Sequence, residues 1–298
     1  MDVHGRVLVL VNPKAVRLRR SGVWEAVRAA ADGEQVVLVE TRHAGHAKEY
    51  ARAHADAFDK VIAVGGDGLL MDVVNGVMGA DVAVAPLPAG SGSDFAKVLP
   101  GYPVSLEGLL ASRRTVRTDV GKITFVEGEA QYFLSEAGTG LDAACVRYIP
   151  DWVRPISSAR AYDLGALQAV LRYKPCRARV TLDDEAIAFD RLQLLAVCNT
   201  RFFGDGMPIA PDARFDDGVF HVFAFGGMSR LGILRSFTLL RKGEHIYHPE
   251  TVYRSCRTVR IEADRELAMC VDGDLIERTP RAWEILPGAL RVVVPESV

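Results

Sequence analysis

The stretch from Val61 to Val77, VIAVGGDGLLMDVVNGV, constrains the fold of this chain more than any other. Val61, Ile62, Ala63 and Val64 form a short, β-branched, uncharged run of the kind a buried strand needs. Gly65, Gly66, Asp67 and Gly68 interrupt it, and Leu70, Val73, Val74, Val77 and Met78 resume at helical spacing. The pattern predicts strand, glycine turn, helix. Such a turn brings backbone N–H groups close to an anion, because glycine lacks a Cβ and accepts positive φ. The helix N-terminus adds partial positive charge suited to phosphate. Asp67 is the one carboxylate among these donors, a natural ligand for a metal ion bridging to phosphate. A plain glycine turn held by an aspartate side chain accounts for the same residues, and this stretch alone does not choose between the two.

Val82 to Val98 repeats the design. VAVAP reads as a buried strand, and LPAGSGSDFAKV supplies a turn from Gly90 to Asp94 that enters another helix, with Ser93 or Asp94 as its cap. Two such units predict loops at one carboxyl edge of a parallel sheet, making a cleft for a phosphorylated ligand. Neither loop has the spacing of a GxxxxGKS or GxxxxGKT phosphate loop, and the GxGxxG dinucleotide pattern is absent.

GGDG followed by an apolar helix with VVNG, then PAGSGSDFAK, resembles the superfamily of diacylglycerol kinases and sphingosine kinases, which also includes the NAD kinases. The resemblance continues along the chain in order. Asp119 to Lys122 matches the family's DxGK, Gly138 to Asp142 resembles its GxGFDA segment, and Asn199 to Val219 resembles the glycine-rich run, AP-x-A and DDG of bacterial lipid kinases. Val271 to Asp274 stands where the family has DGE. Near the N-terminus, Asn12-Pro13-Lys14 matches a nucleotide-contacting loop, here made basic by Lys14, Arg17, Arg19 and Arg20. Thr41 to His46 matches a Thr-x-x-x-Gly-His helix entry, although capping alone also explains a threonine there.

There are departures. Leu69 stands in the usual threonine position of GGDGT, as in sphingosine kinases. Ser91 replaces a threonine but keeps a hydroxyl. Asp205 replaces a glycine, and DGE has become DGD.

The 298 residues allow two domains, and a formal net charge of −2 gives no reason to expect nucleic acid as a partner. Cys145, Cys176, Cys198, Cys256 and Cys270 are scattered and odd in number, so buried reduced thiols are expected rather than a disulfide framework. The histidines, His43, His46, His221, His245 and His248 among them, show no metal-binding spacing. No apolar run reaches bilayer-spanning length.

Strands alternate with helices up to about Thr115, predicting an α/β nucleotide-binding domain over 1–115 with a parallel sheet. Strand-like runs then dominate, predicting a mainly antiparallel β-sandwich, lipid-binding domain over 116–298. The C-terminal segment is left free to pack back on the first domain. Helical insertions are expected at 157–173 and 231–241. The second of these has an apolar face and basic flanks, an amphipathic packing helix or a membrane contact.

The resemblance implies an NAD kinase/diacylglycerol kinase-like fold and a lipid kinase using ATP and Mg²⁺, cytoplasmic and peripheral at the membrane. Its acceptor is diacylglycerol, a sphingoid or another long-chain alcohol. Asn12, Pro13, Lys14, Thr41, Gly65, Gly66, Asp67, Gly68, Leu69, Ser91 and Gly92 would contact nucleotide. Asp67 and Asp119 would hold the catalytic magnesium, and Asp274 would accept the proton of the lipid hydroxyl. Asp217, with the carbonyls of Arg214 and Val219, would hold a structural magnesium, where a bare Asp-Asp-Gly otherwise reads as a hairpin turn. An NAD kinase, or a catalytically weak nucleotide- or lipid-binding homologue, is the alternative on the same motifs, and a homodimer is an open expectation.

Overall fold

A computed structural model describes residues 3–15, 18, 22–31, 33–90, 93–150, 158–204 and 206–296, the side chains of 158–162 excepted. The chain divides into two compact units, 1–118 with 288–298, and 119–287.

The first unit alternates strand and helix: β1 (Val7–Val11), α1 (Val23–Ala30), β2 (Val36–Glu40), α2 (His46–His54), β3 (Lys60–Gly65), α3 (Asp67–Val77), β4 (Ala83–Pro88), α4 (Asp94–Lys97) and α5 (Leu106–Ala111). β1 pairs in parallel with β2 and β3, and β3 pairs in parallel with β4. Every residue of β1 and β3 is buried, as parallel strands covered on both faces require, whereas β2 at the edge is half exposed. Val7, Val9 and Val11 face α1 and α5, through Val27, Leu106, Leu109 and Leu110. Helices α2 and α3 pack together at Gly76, where an added Cβ would lie 2.6 Å from the Lys48 carbonyl oxygen. At the amino end of β3, buried Lys60 donates to the carbonyls of Leu109, Leu110 and Ser112 at 3.0, 3.0 and 2.8 Å. The cation closes the C-terminus of α5, where the free carbonyls and the helix dipole favour it.

Strand β5 (Thr115–Phe125) carries the chain into the second unit. There follow β6 (Gln131–Phe133), β7 (Glu136–Gly140), α6 (Leu141–Arg147), α7 (Ser158–Arg172), β8 (Cys176–Leu182), β9 (Glu185–Cys198), β10 (Phe220–Gly226), α8 (Arg230–Leu240), β11 (Thr251–Cys256), β12 (Thr258–Ala263), β13 (Met269–Val271) and β14 (Asp274–Ile276). The pairings are antiparallel: β9 joins β7, β8 and β10, β12 joins β8, and β13 joins both β7 and β14. Helices α6, α7 and α8 supply Leu141, Ala169, Val170 and Ile233 to an apolar cluster with Phe223 and Phe225 of β10. The long β15 (Pro280–Val293) begins here, antiparallel to β12. It ends in the first unit, where Arg291 and Val292 pair in parallel with Ala83 and Val84 of β4. The sheet of the first unit is therefore ordered β2-β1-β3-β4-β15.

Helix α6, β11 and β14 escape the sequence pattern. Helix α6 follows Gly140 within a segment that matches a motif only, β11 runs into β12 with no turn residue between them, and β14 is three residues long. Among the described residues no helix is long and apolar enough to cross a membrane, and the cysteines are unpaired.

Candidate functional site

Both glycine loops leave the same edge of one sheet. β3 and β4 run in register from Lys60↔Ala83 to Gly65↔Pro88, so the turns that follow emerge side by side. The carbonyl of Gly65 accepts the N–H groups of Ala89 at 2.8 Å and Gly90 at 3.1 Å. A Cβ on Gly90 would stand 2.5 Å from the Cα of Gly66, so the loops touch backbone to backbone. Leu69 is buried, and its side chain covers Gly65, where a built Cβ would lie 2.7 Å from Leu69 Cδ2. Its side chain offers no hydroxyl, which leaves the backbone as what Leu69 can present to an anion.

Asp67 stands in the first turn of α3 and joins the loops. Its Oδ2 accepts the N–H of Ser93 at 2.7 Å and of Asp94 at 3.3 Å. The expected cap of α4 by its own Ser93 or Asp94 is corrected here. Ser93 sits at φ 62 and makes no side-chain cap, because a capping serine needs an extended backbone to aim its oxygen at the helix. Asp67 supplies the cap from the neighbouring loop instead. The buried Ser93 Oγ has no hydrogen-bond partner among the described residues. Burial, and then the nearby Asp94 carboxylate, push the Asp67 pKa up to about 6, against the pull of the two N–H groups. A partly buried carboxylate raised in this way, beside a second carboxylate, is the chemistry a divalent cation relieves.

Asn12, Pro13 and Lys14 follow β1, and Thr41 follows β2, so they share that carboxyl edge. Asn12 folds the turn by donating its N–H to Val64 and accepting that of Lys14 on Oδ1. Thr41 donates its N–H to Val11 and does not cap α2, whose N-cap is Gly45 at φ 83. Asp72 of α3 accepts the Gly45 N–H at 2.9 Å, a link between helices that the sequence reading missed. Ser91 and Gly92 lie outside the described residues, as do Arg17, Arg19, Arg20 and Asp205.

In the second unit, Asp119 is buried within β5 rather than at a strand end. Its N–H donates to Phe215 at 2.7 Å, and its Oδ2 accepts the N–H of Gly218 at 2.6 Å. Asn199 steadies the same strand by donating to the Asp119 and Leu134 carbonyls at 3.0 and 2.7 Å. Asp119 is thus built against the Asp-Asp-Gly turn. Within that turn Asp217 accepts the N–H groups of Arg214 at 3.1 Å and Val219 at 3.2 Å, with His221 Nε2 3.2 Å away. Arg214, Asp217 and Val219 are thus gathered in one loop, where the Asp217 carboxylate is held by the backbone N–H groups of the other two.

Asp274 opens β14 and is exposed. It pairs with Val271 across Asp272 and Gly273, whose φ values of 47 and 91 make a two-residue hairpin. The sequence shows a strand-like run, Leu267 to Val271, before this Asp-Gly, but the three-residue strand after it carries no pattern of its own. Asp272 also does what its sequence position did not disclose, accepting the N–H groups of Leu134, Ser135 and Glu136 at 2.9, 2.8 and 2.9 Å.

Beside it lies a cluster the sequence reading did not assemble. Glu136, Asp142 and Cys270 are buried, with ligand atoms within 4.8 Å of one another. A Cβ on Gly138 would meet Glu136 Oε1 at 2.3 Å and Asp142 Oδ2 at 2.5 Å, so glycine makes room for the carboxyl pair. Burial raises both carboxyls, Asp142 to about 7, and the charge of each neighbour further disfavours ionising Glu136. Among the described residues, Asp142 is also the single carboxylate in the wall of a cavity of about 650 Å³, mouth included, lined by Phe203, Phe223, Phe225, Ile233 and Phe237 among others.

Residues 6–123 match the family model of the diacylglycerol kinase catalytic domain. Residues 135–294, more than half of the chain, match that of the YegS C-terminal NAD kinase beta sandwich-like domain. The chain is similar to the diacylglycerol kinase of Mycobacterium tuberculosis, 28% identical over 98% of this chain and 96% of the relative. It is likewise similar to the diacylglycerol kinase of Bacillus subtilis, 27% identical over 86% and 85%. A crystal structure of a candidate diacylglycerol kinase from Bacillus anthracis has the same fold, with a TM-score of 0.76 at 24% identity, covering 98% of each chain.

Proposed function

The chain belongs to the diacylglycerol kinase family, and on that premise we propose that it moves the γ-phosphoryl group of ATP, with Mg²⁺, to the hydroxyl of a membrane lipid. The observation that carries the reading is Asp67: one carboxylate at a helix N-terminus, hydrogen-bonded across two glycine loops at the carboxyl edge of a parallel sheet.

Phosphoryl transfer needs positioning and charge neutralisation more than covalent chemistry. Backbone N–H groups from Gly65 to Leu69, with Asn12, Pro13, Lys14, Thr41, Ser91 and Gly92, bind nucleotide in this reading. Asp67 and Asp119 hold the catalytic cation, which when bound neutralises charge on the phosphates. Asp274 takes the proton of the attacking hydroxyl. Arg214, Asp217 and Val219 hold a second, structural cation. The aromatic and aliphatic cavity beside Asp142 suits the hydrocarbon part of an acceptor, since apolar burial supplies about 25 cal/mol per Å² without a directional partner.

The test is direct. Labelled ATP and Mg²⁺ are supplied with vesicles carrying diacylglycerol, a sphingoid base or another long-chain alcohol, and the lipid extract is scored for label. Transfer to at least one acceptor is expected. Label that goes to NAD, or to no acceptor while ATP still binds, overturns the proposal.

A further inference from the structure

Ser93 is strained and unpaired at once. Its backbone sits at φ 62, in the left-handed region that disfavours a residue with a Cβ and suits glycine. The residue is only 6% exposed, and its hydroxyl has no hydrogen-bond partner among the described residues. A hydroxyl taken out of water without a partner is destabilising, and few folded chains keep one. Glycine here would remove both defects, and the loop already holds Gly90 and Gly92. Strain and an orphaned polar group on one buried residue point to a contact made beyond the chain itself.

The surroundings say what that contact is. The Ser93 N–H donates to Asp67 Oδ2 at 2.7 Å, so the hydroxyl on the same residue is held beside that carboxylate. The N–H of Asp94 also falls on Oδ2, and among the described residues no hydrogen bond falls on Oδ1. Asp94 itself faces Lys97 Nζ at 2.9 Å, which counters its charge. Ser93 and Asp67 share the wall of a hollow of about 200 Å³, mouth included, with Gly65 and Gly66. That space is small for a nucleoside. A divalent cation with a few waters, each about 30 Å³ in the liquid, fits it. A hydroxyl supplies oxygen there without a further negative charge, where the Asp94 carboxylate already works against ionised Asp67.

We propose that the Ser93 hydroxyl contacts the divalent cation held at Asp67, directly or through one of its waters, and fixes that cation against the first glycine loop. The identity of the cation and its nucleotide rests on the kinase reading above.

The experiment is thermal melting of the parent, Ser93→Ala and Ser93→Gly, with ATP in EDTA and with ATP and rising Mg²⁺. Without ligand, Ser93→Ala should melt no lower than the parent, because the hydroxyl it loses has no partner. ATP alone should stabilise all three proteins alike. The Mg²⁺ concentration that gives half of the additional stabilisation should rise at least about tenfold in both variants. If Ser93→Ala melts lower and answers Mg²⁺ as the parent does, the hydroxyl is structural and the proposal falls. If the variants lose the response to ATP alone, the hydroxyl holds phosphate and the cation assignment falls. An effect in only one variant assigns it to the backbone and not to the hydroxyl. A parent that gains nothing from ATP and Mg²⁺ removes the kinase reading together with this one, whereas variants that match a responding parent remove Ser93 alone.

Discussion

The carboxylate of Asp67 accepts the backbone N–H of Ser93 at 2.7 Å, across a sequence gap that spans α3 and β4. One side chain thereby ties together two loops that would otherwise be separate phosphate-binding turns, and it carries the charge suited to a cation.

Asp67→Asn separates stability from chemistry. The Asp67 pKa of about 6 lies above the usual 3.8, so the folded chain holds this proton more tightly than the unfolded one. That stabilisation is complete below pH 3.8 and is lost as pH rises through 6. Ionised Asp67 therefore works against the fold at neutral pH, by up to about 3 kcal/mol. The variant should melt several degrees higher at pH 7, and no higher at pH 4, while losing metal-supported ATP turnover. Turnover at the parental rate would remove Asp67 from the cation site.

Glu136→Gln should alter the pH dependence of stability. Glu136 and Asp142 face each other, with Cys270, Asp272, Cys145 and Cys198 as their titratable neighbours. Burial raises both carboxyls, Asp142 to about 7, so the contribution of this pair to stability is full at acid pH and declines as pH passes through 7. Glutamine cannot ionise, so only the Asp142 loss remains, and the further fall in melting temperature above pH 7 should shrink. An undiminished fall there would show that Glu136 does not lose its proton from the folded chain in that range.

Asp217→Ala tests the cation in the Asp-Asp-Gly turn. The Arg214 and Val219 N–H groups each lose an acceptor, a loss of about 1 kcal/mol per bond. The melting temperature should drop, and its rise with added Mg²⁺ should vanish. A variant whose melting point still climbs with Mg²⁺ as the parent's does would leave Asp217 as a turn residue alone.

Asp274 has the sharpest test. Asp274→Asn should lower lipid phosphorylation by about 10²- to 10⁴-fold while ATP affinity holds, because a base touches the acceptor and not the nucleotide. Asp274→Glu should stay active, since it keeps the carboxylate and lengthens its reach. Initial rates and ATP dissociation constants for both variants decide it, and unimpaired transfer by Asp274→Asn assigns the proton to another group.

The sequence by itself determined the parallel α/β sheet, because buried strands, glycine turns and amphipathic helices are signals within a few residues of one another. It determined two of the inserted helices nearly to their ends, Ser158–Arg172 against an expected 157–173 and Arg230–Leu240 against 231–241, whereas α6 carries no such pattern. It marked both glycine loops for the same reason, since glycine is needed where Gly90 meets Gly66 and the pattern exposes it. Tertiary structure alone decided what each carboxylate does. The hydrogen bonds of Asp67 to Ser93, Asp119 to Gly218, and Asp272 to Leu134 join residues far apart in the chain. Local pattern carries no information about which N–H groups a distant side chain will meet. The same holds for Glu136 and Asp142, whose motif neighbours gave no hint that the two would meet. Burial sets their chemistry, because carboxyls removed from water resist ionising, and a second one beside them adds to the cost.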